Sequence, residues 1–190
     1  MLAELVRKTR SYRRFYEDVP VSRETLLDLI DCARLSATGG NRQALRYFIA
    51  ADAEMCAKIY PTLIWAMLLK DWDGPEPGER PAAYIVMGQD EGYKAVSPYD
   101  PGIAAQTMML AATEKGLGGC MFSGIRRDEL KAVLGLPDSF EVLLVLALGK
   151  VKETVVIDEV EAGADLKYWR DADRVHHVPK LKLPDIVLNR

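Results

Sequence analysis

Residues 100–122 read DPGIAAQTMMLAATEKGLGGCMF, and the order of elements in this stretch decides the fold class. Asp100 is a helix N-cap, Pro101 stands at the first helical position, and Gly116 stands where a C-terminal cap belongs. Between them Ile103, Met108, Ala111 and Ala112 supply apolar surface. Met121 and Phe122 then predict a strand. The glycines at 116, 118 and 119 therefore close a helix and precede a strand. A G-x-G-x-x-G dinucleotide fingerprint does the reverse, following a strand and opening a helix. The order argues against a Rossmann site. Two readings of the cluster remain: backbone amides that meet a ligand carbonyl, or a helix cap with tight packing.

Toward the C-terminus, Arg127 to Leu134 is a short helix closed by Gly135 and Pro137. Val142 to Leu148 is a near-continuous apolar run that suits a central strand buried on both faces. After Lys150 charged residues increase and apolar periodicity fades. Residues 1–150 therefore read as the core, and 151–190 as a C-terminal arm of the same domain. Toward the N-terminus, Ala82 to Met87 is a buried strand and Asp71 to Pro81 a loop. Glu54 to Leu69 is a helix that Pro61 should start, kink or divide. Arg46 to Ala51 is a strand. Leu26, Leu29, Ile30 and Ala33 predict an amphipathic helix over 23–36, with Ser22 as its cap. Leu2 to Thr9 is a short helix. Strands interleave with helices, so the class is α/β or α+β.

A chain of 190 residues, 49% hydrophobic and 28% charged, makes one globular domain, not a disordered segment. A net charge of −3 disfavours a nucleic-acid binder. The three cysteines are widely spaced and odd in number, against a disulfide framework. Two adjacent histidines, His176 and His177, supply a zinc site poorly. No apolar run approaches the roughly 20 residues of a membrane span. Basic residues follow the first apolar stretch, the opposite of a signal peptide. The expected compartment is the cytoplasm.

Arg10, Ser11 and Arg13 place two guanidinium groups and a hydroxyl within four residues. They suit the phosphate of an anionic cofactor, or they are a solvated basic stretch. Gly39-Gly40-Asn41-Arg42-Gln43 can approach a flat heterocycle and read its edge, or it is a turn after a helix. Cys120 is a nucleophile or, the better reading, a buried inert thiol.

The order and spacing of these pieces carry more than each alone. R-S-Y-R-R-F at 10–15, then an amphipathic helix, then G-G-N-R-Q at 39–43 and the 100–120 stretch together resemble the nitroreductase family of flavin enzymes. The resemblance covers most of residues 2–150. It implies an α+β fold around a central, mostly antiparallel sheet flanked by helices. It also implies a homodimer with two FMN sites at the subunit interface, and reduction by NADH or NADPH before transfer to a small-molecule electron acceptor. Residue by residue, it implies that Arg10, Ser11 and Arg13 hold the phosphate and ribityl chain or the pyrimidine end. Asn41 and Gln43 match an N-x-Q that contacts the flavin. Ser123 and Gly124 match a turn facing flavin N5 and O4, and Lys180, with Lys182 second, matches a basic residue on the phosphate. Ala44-Leu45 replace a common Pro-Trp, and Gly149-Lys150-Val151 replace a common G-Y-P, which bears on the acceptor more than on the flavin. The alternative is a flavin-binding storage or sensor protein without efficient turnover.

Overall fold

A computed structural model describes residues 1–92 and 95–189. It divides into two compact units: residues 1–65 with 74–152, and residues 66–73 with 153–190.

The first unit is built on a five-stranded antiparallel sheet. Its strands are β1 (Phe15–Tyr16), β2 (Arg46–Ala50), β3 (Ala83–Asp90), β4 (Gly118–Phe122) and β5 (Phe140–Val151). The order is β1-β5-β3-β2, and β4 also pairs with β5. β5 is the hub: β1, β3 and β4 all pair with it antiparallel. The apolar run 142–148 can sit there because both of its faces are covered. Val145, Leu146, Ala147 and Leu148 are fully buried.

Two helices cover one face: α2 (Arg23–Arg34), after α1 (Leu2–Lys8), and α4 (Asp100–Glu114), with the short α3 (Ala53–Ile59) between them in sequence. Ser22 caps α2 by accepting a hydrogen bond from the Thr25 amide, as its sequence predicts. Leu26, Leu29 and Ala33 of α2 meet Ala105, Met108, Met109 and Ala112 of α4 over Ala83, Ile85 and Met87 of β3. Alternation along β3 sends Tyr84 to the opposite face. The helix α5 (Arg127–Leu134) ends at Gly135, whose φ of 62° is the left-handed cap expected there.

Three local expectations are corrected. The helix expected over 54–69 stops at Ile59 and passes into a single 3₁₀ turn at Tyr60–Thr62. Pro61 ends it, and Leu63 then bridges Ile125 while Trp65 packs edge-on against Phe122, ring centroids 4.6 Å apart. Asp100 does not cap α4; Tyr99 holds that position, and Asp100 is buried with another task. The segments Ile103–Met109 and Trp65–Leu69 are more apolar than one core of this size requires and are expected to be buried between subunits, but Met108, Met109 and Trp65 are buried within the chain itself.

The second unit holds β6 (Val155–Val160), β7 (Trp169–Arg170), β8 (His176–Leu181) and the short α6 (Leu183–Ile186). β6 and β8 are parallel, and β7 pairs antiparallel with β8. Arg170 ties the unit together: it pairs with the buried Glu153 at 2.5 Å, and its guanidinium lies 4.1 Å above the Trp72 ring. His177 sits between Asp158 (Nδ1 to Oδ2, 3.0 Å) and Asp171 (Nε2 to Oδ2, 3.3 Å), stacked on Trp169. Burial opposes its charge, but the bonds to Asp171 and Asp158 prevail and raise its pKa above the ordinary value. A raised folded pKa stabilises the protein fully below the unfolded value of about 6.5, and that stabilisation is lost as pH rises through the folded value. We therefore expect the melting temperature to fall between pH 6 and pH 8.5 by an amount that His177→Gln removes.

Among the described residues no helix is long and apolar enough to cross a membrane, and no group of three or more His, Cys, Asp or Glu side chains could hold a metal.

Candidate active site

The run 9–13 is anchored at the C-terminal end of α4. Thr9 Oγ1 meets Thr113 Oγ1 at 3.0 Å, Ser11 bridges Gly119, and the Tyr12 amide donates to the Gly119 carbonyl at 2.8 Å. This close approach explains the glycines. A Cβ on Gly118 would lie 2.4 Å from Val151 and 2.6 Å from the Tyr12 ring, and one on Gly119 would lie 2.5 Å from the Ala147 carbonyl oxygen. Gly116 has φ of 74° behind the helix. Cap and tight packing thus account for the cluster.

Within this anchor the Arg10 guanidinium donates from Nη2 to the Val6 carbonyl at 2.8 Å. Its Nε is buried and has no hydrogen-bond partner. Arg13 is only 9% exposed and donates to the Ser11 carbonyl at 3.3 Å, while the Ser11 residue itself is exposed. The neighbouring Arg14 is structural: Nε and Nη2 clasp Glu79 at 2.6 and 2.8 Å, and Lys152 joins at 3.2 Å.

Ser123 and Gly124 follow the far end of β4, four residues from Gly119, or about 13 Å at strand rise. Gly124 accepts from the Ile64 amide at 2.9 Å, and Ser123 is exposed. The arginine run and this turn thus lie along one strand. Cys120 between them is buried, in keeping with an inert thiol.

Asn41 and Gln43 stand elsewhere. Their turn follows α2 and lies against the N-terminal end of α4, where the Gly39 amide donates to Asp100 Oδ1 at 2.8 Å. Asn41 and Gln43 both have positive φ, 51° and 50°, which is uncommon for Asn and rarer for Gln. Such strain persists only where surrounding structure enforces it. Asp100 is one such enforcer, and sequence reasoning missed it by treating it as a cap. Its Oδ2 and Thr38 Oγ1 are buried without partners, and both residues line a cavity of about 290 Å³ that Gln43, Arg46 and Tyr47 also line. Burial raises the Tyr47 pKa, so its phenol stays protonated. Asp100→Ala should strand the Gly39 amide and cost about 1–3 kcal/mol in urea unfolding, while Asp100→Asn, which keeps an acceptor, should cost less.

The two groups are far apart within one chain. From Asp100 to Glu114 the 15 residues of α4 span about 20 Å. Across the sheet β2 and β4 are separated by three inter-strand steps, about 14 Å. Lys180 belongs to the second unit, exposed on β8 and in register with Glu159. Lys182 is engaged by Glu161.

A family model described as the nitroreductase family matches residues 6–150. The chain belongs to the nitroreductase family. Membership makes it an oxidoreductase. The chain is 27% identical over 177 residues to an Archaeoglobus fulgidus protein provisionally named an NADH dehydrogenase/NAD(P)H nitroreductase, covering 88% of this chain and 92% of that one. A nitroreductase family protein of Clostridium difficile superposes with a TM-score of 0.63 at 26% identity, over 79% of this chain and 84% of that one. NfnB of Sphigopyxis sp. strain HMH, an FMN- and NADPH-dependent nitroreductase, shares the nitroreductase fold with a TM-score of 0.64 at 18% identity, over 80% and 89%.

Proposed function

We propose that this nitroreductase-family chain binds FMN and carries reducing equivalents from NADH or NADPH to a small electron acceptor such as a nitroaromatic or a quinone. The observation that carries the reading is the donor set at 10–13. Folding leaves the Arg10 Nε buried and unmatched beside Ser11 and Arg13. A phosphate oxygen supplies the acceptor that this nitrogen lacks. The residues therefore fit the group.

When bound, FMN supplies a two-electron carrier that lets reductant and acceptor react in turn, a ping-pong cycle. The protein's own part is placement. Arg10 and Arg13, with Lys180 from the arm, hold the phosphate, and Ser11 adds a hydroxyl. The backbone at Ser123–Gly124 faces the reactive edge. Asn41 and Gln43 read the flavin ring, each side chain offering a donor and an acceptor. No side chain is assigned as general acid.

The roughly 20 Å of α4 between the two groups supports a site shared between two copies, one supplying each group, and hence a homodimer. Leu27, Leu35, Tyr99 and Ile103 remain exposed on and beside α2 and α4, apolar surface for such an interface. The arm at 151–190 is assigned to wrap the partner, and the compartment to the cytoplasm.

The test is the visible spectrum of the purified protein and of its heat-released supernatant. The expected result is a flavin band released as FMN at about one per chain, bleached by NADH or NADPH and restored by an acceptor. A colourless protein that does not take up added FMN would refute the reading. A flavin that is reduced but reoxidised slowly by every acceptor would favour storage or sensing.

A further inference from the structure

We propose that a second cavity, on the sheet face opposite α2 and α4, is a binding site for a small neutral compound bearing a primary carboxamide. The cavity has a volume of about 250 Å³ and is lined by Glu17, Asp18, Arg80 and Tyr84, with Ala57 and Pro81 among its apolar walls. None of the candidate flavin residues lines it. The inference therefore stands apart from the flavin reading.

Two donors on residues that line this cavity lack acceptors. Tyr84 is fully buried, and its hydroxyl has no hydrogen-bond partner. The Arg80 Nε is likewise buried and unmatched, while the guanidinium rests 4.2 Å above the Tyr60 ring. An unmet buried donor is costly and uncommon. Both groups hold their protons: arginine is always charged, and burial, with Cys56, Tyr60 and Glu17 nearby, pushes the Tyr84 phenol well up. The missing partner is thus an acceptor oxygen.

Charge narrows the class. Glu17 and Asp18 oppose the single positive charge of Arg80, so a carboxylate ligand meets net repulsion. Glu17 Oε2 is already used, accepting from the Gly78 amide at 2.5 Å and the Arg80 amide at 3.2 Å. Its Oε1 makes no hydrogen bond among the described residues and can accept from an N–H. One group offers an acceptor oxygen and a donor nitrogen side by side without charge: the carboxamide. The cavity far exceeds the roughly 30 Å³ share of one water. It lies just below the roughly 300–1,000 Å³ of common ligand pockets, so the ligand is small.

The test uses the protein as purified, with whatever cofactor it carries, and isobutyramide as the probe. Saturation-transfer NMR should show saturable binding. Isobutyrate should bind at least tenfold more weakly, and methyl isopropyl ketone should fall between, since it cannot donate to Glu17. Tyr84→Phe should weaken isobutyramide at least fivefold while leaving the melting temperature unchanged or higher, because it removes an unmet hydroxyl. Glu17→Gln should cancel the preference for amide over carboxylate. Absence of saturable binding, equal binding of isobutyrate, or unchanged binding in Tyr84→Phe would each overturn the proposal. A Tyr84→Phe protein that melts lower with the affinity intact would also overturn it, since bound water then satisfies the hydroxyl.

Discussion

Replacing Glu79 with alanine is expected to cost the fold about 3–5 kcal/mol, because it takes from the buried Arg14 charge the carboxylate that clasps it. Both side chains are nearly buried, 9% exposed for Arg14 and 12% for Glu79. The clasp is bidentate, and the Lys152 ammonium shares the same carboxylate. In a protein of this size that loss lowers the melting temperature by about 6–20 °C. The pair replaced as a whole, Arg14→Met with Glu79→Leu, should recover most of the loss, since apolar groups of similar volume need no partner. Differential scanning calorimetry of the single and double variants reads both. A single variant that melts with the parent would show that water already screens the clasp. The clasp also fixes the 74–81 loop against the strand that leaves the arginine run, so the Glu79→Ala protein should hold flavin poorly even where it remains folded.

Mixing two crippled chains should restore flavin binding. A chain with Arg10→Ala and Arg13→Ala loses two charge-assisted bonds, each worth about 1.5–3 kcal/mol, so its affinity for FMN should fall by about 10²–10⁴-fold. A chain with Asn41→Ala and Gln43→Ala loses the contacts from the other end of α4. If each site takes the arginine run of one copy and the Asn41–Gln43 turn of another, a mixed dimer holds one intact site and one doubly damaged site. Unfolding and refolding the two together, then isolating the mixed species by two affinity tags, should return about half the parental flavin. No recovery would place both groups on the same flavin within one chain, against the separation along α4.

The N-terminal two-thirds of this architecture was legible because its signals are local. Ser22 caps α2, Gly135 closes α5, and the run 142–148 becomes the hub strand. Where the reading failed, a distant partner decided the outcome. Asp100 before Pro101 has every local mark of a cap, yet its carboxylate answers an amide at Gly39, 61 residues away. The helix expected to continue to Leu69 does not resume after Pro61, because Trp65 has a place against Phe122. The strands after Val151 escaped notice because β6 and β8 pair in parallel across a long crossover, with Pro179 inside β8 opposite Asp158. Candidate site residues came from the resemblance to a family, carried over position by position, but their separation into two groups depends on the path of α4, which no local pattern encodes. Nor does any pattern announce a left-handed Gln43.

The position of β5 also sets a schedule for synthesis. β2 and β3 can pair as soon as both have emerged, but the other edge of β3 and all of β1 and β4 must wait for a strand that ends at Val151. At a ribosomal pace of ~5–20 residues per second, the 61 residues between Asp90 and Val151 take about 3–12 s. For that interval the apolar segment Tyr84–Met87 has an open edge with nothing of its own chain to cover it. Nascent chains stalled between these two positions are therefore the forms of this protein most in need of a chaperone.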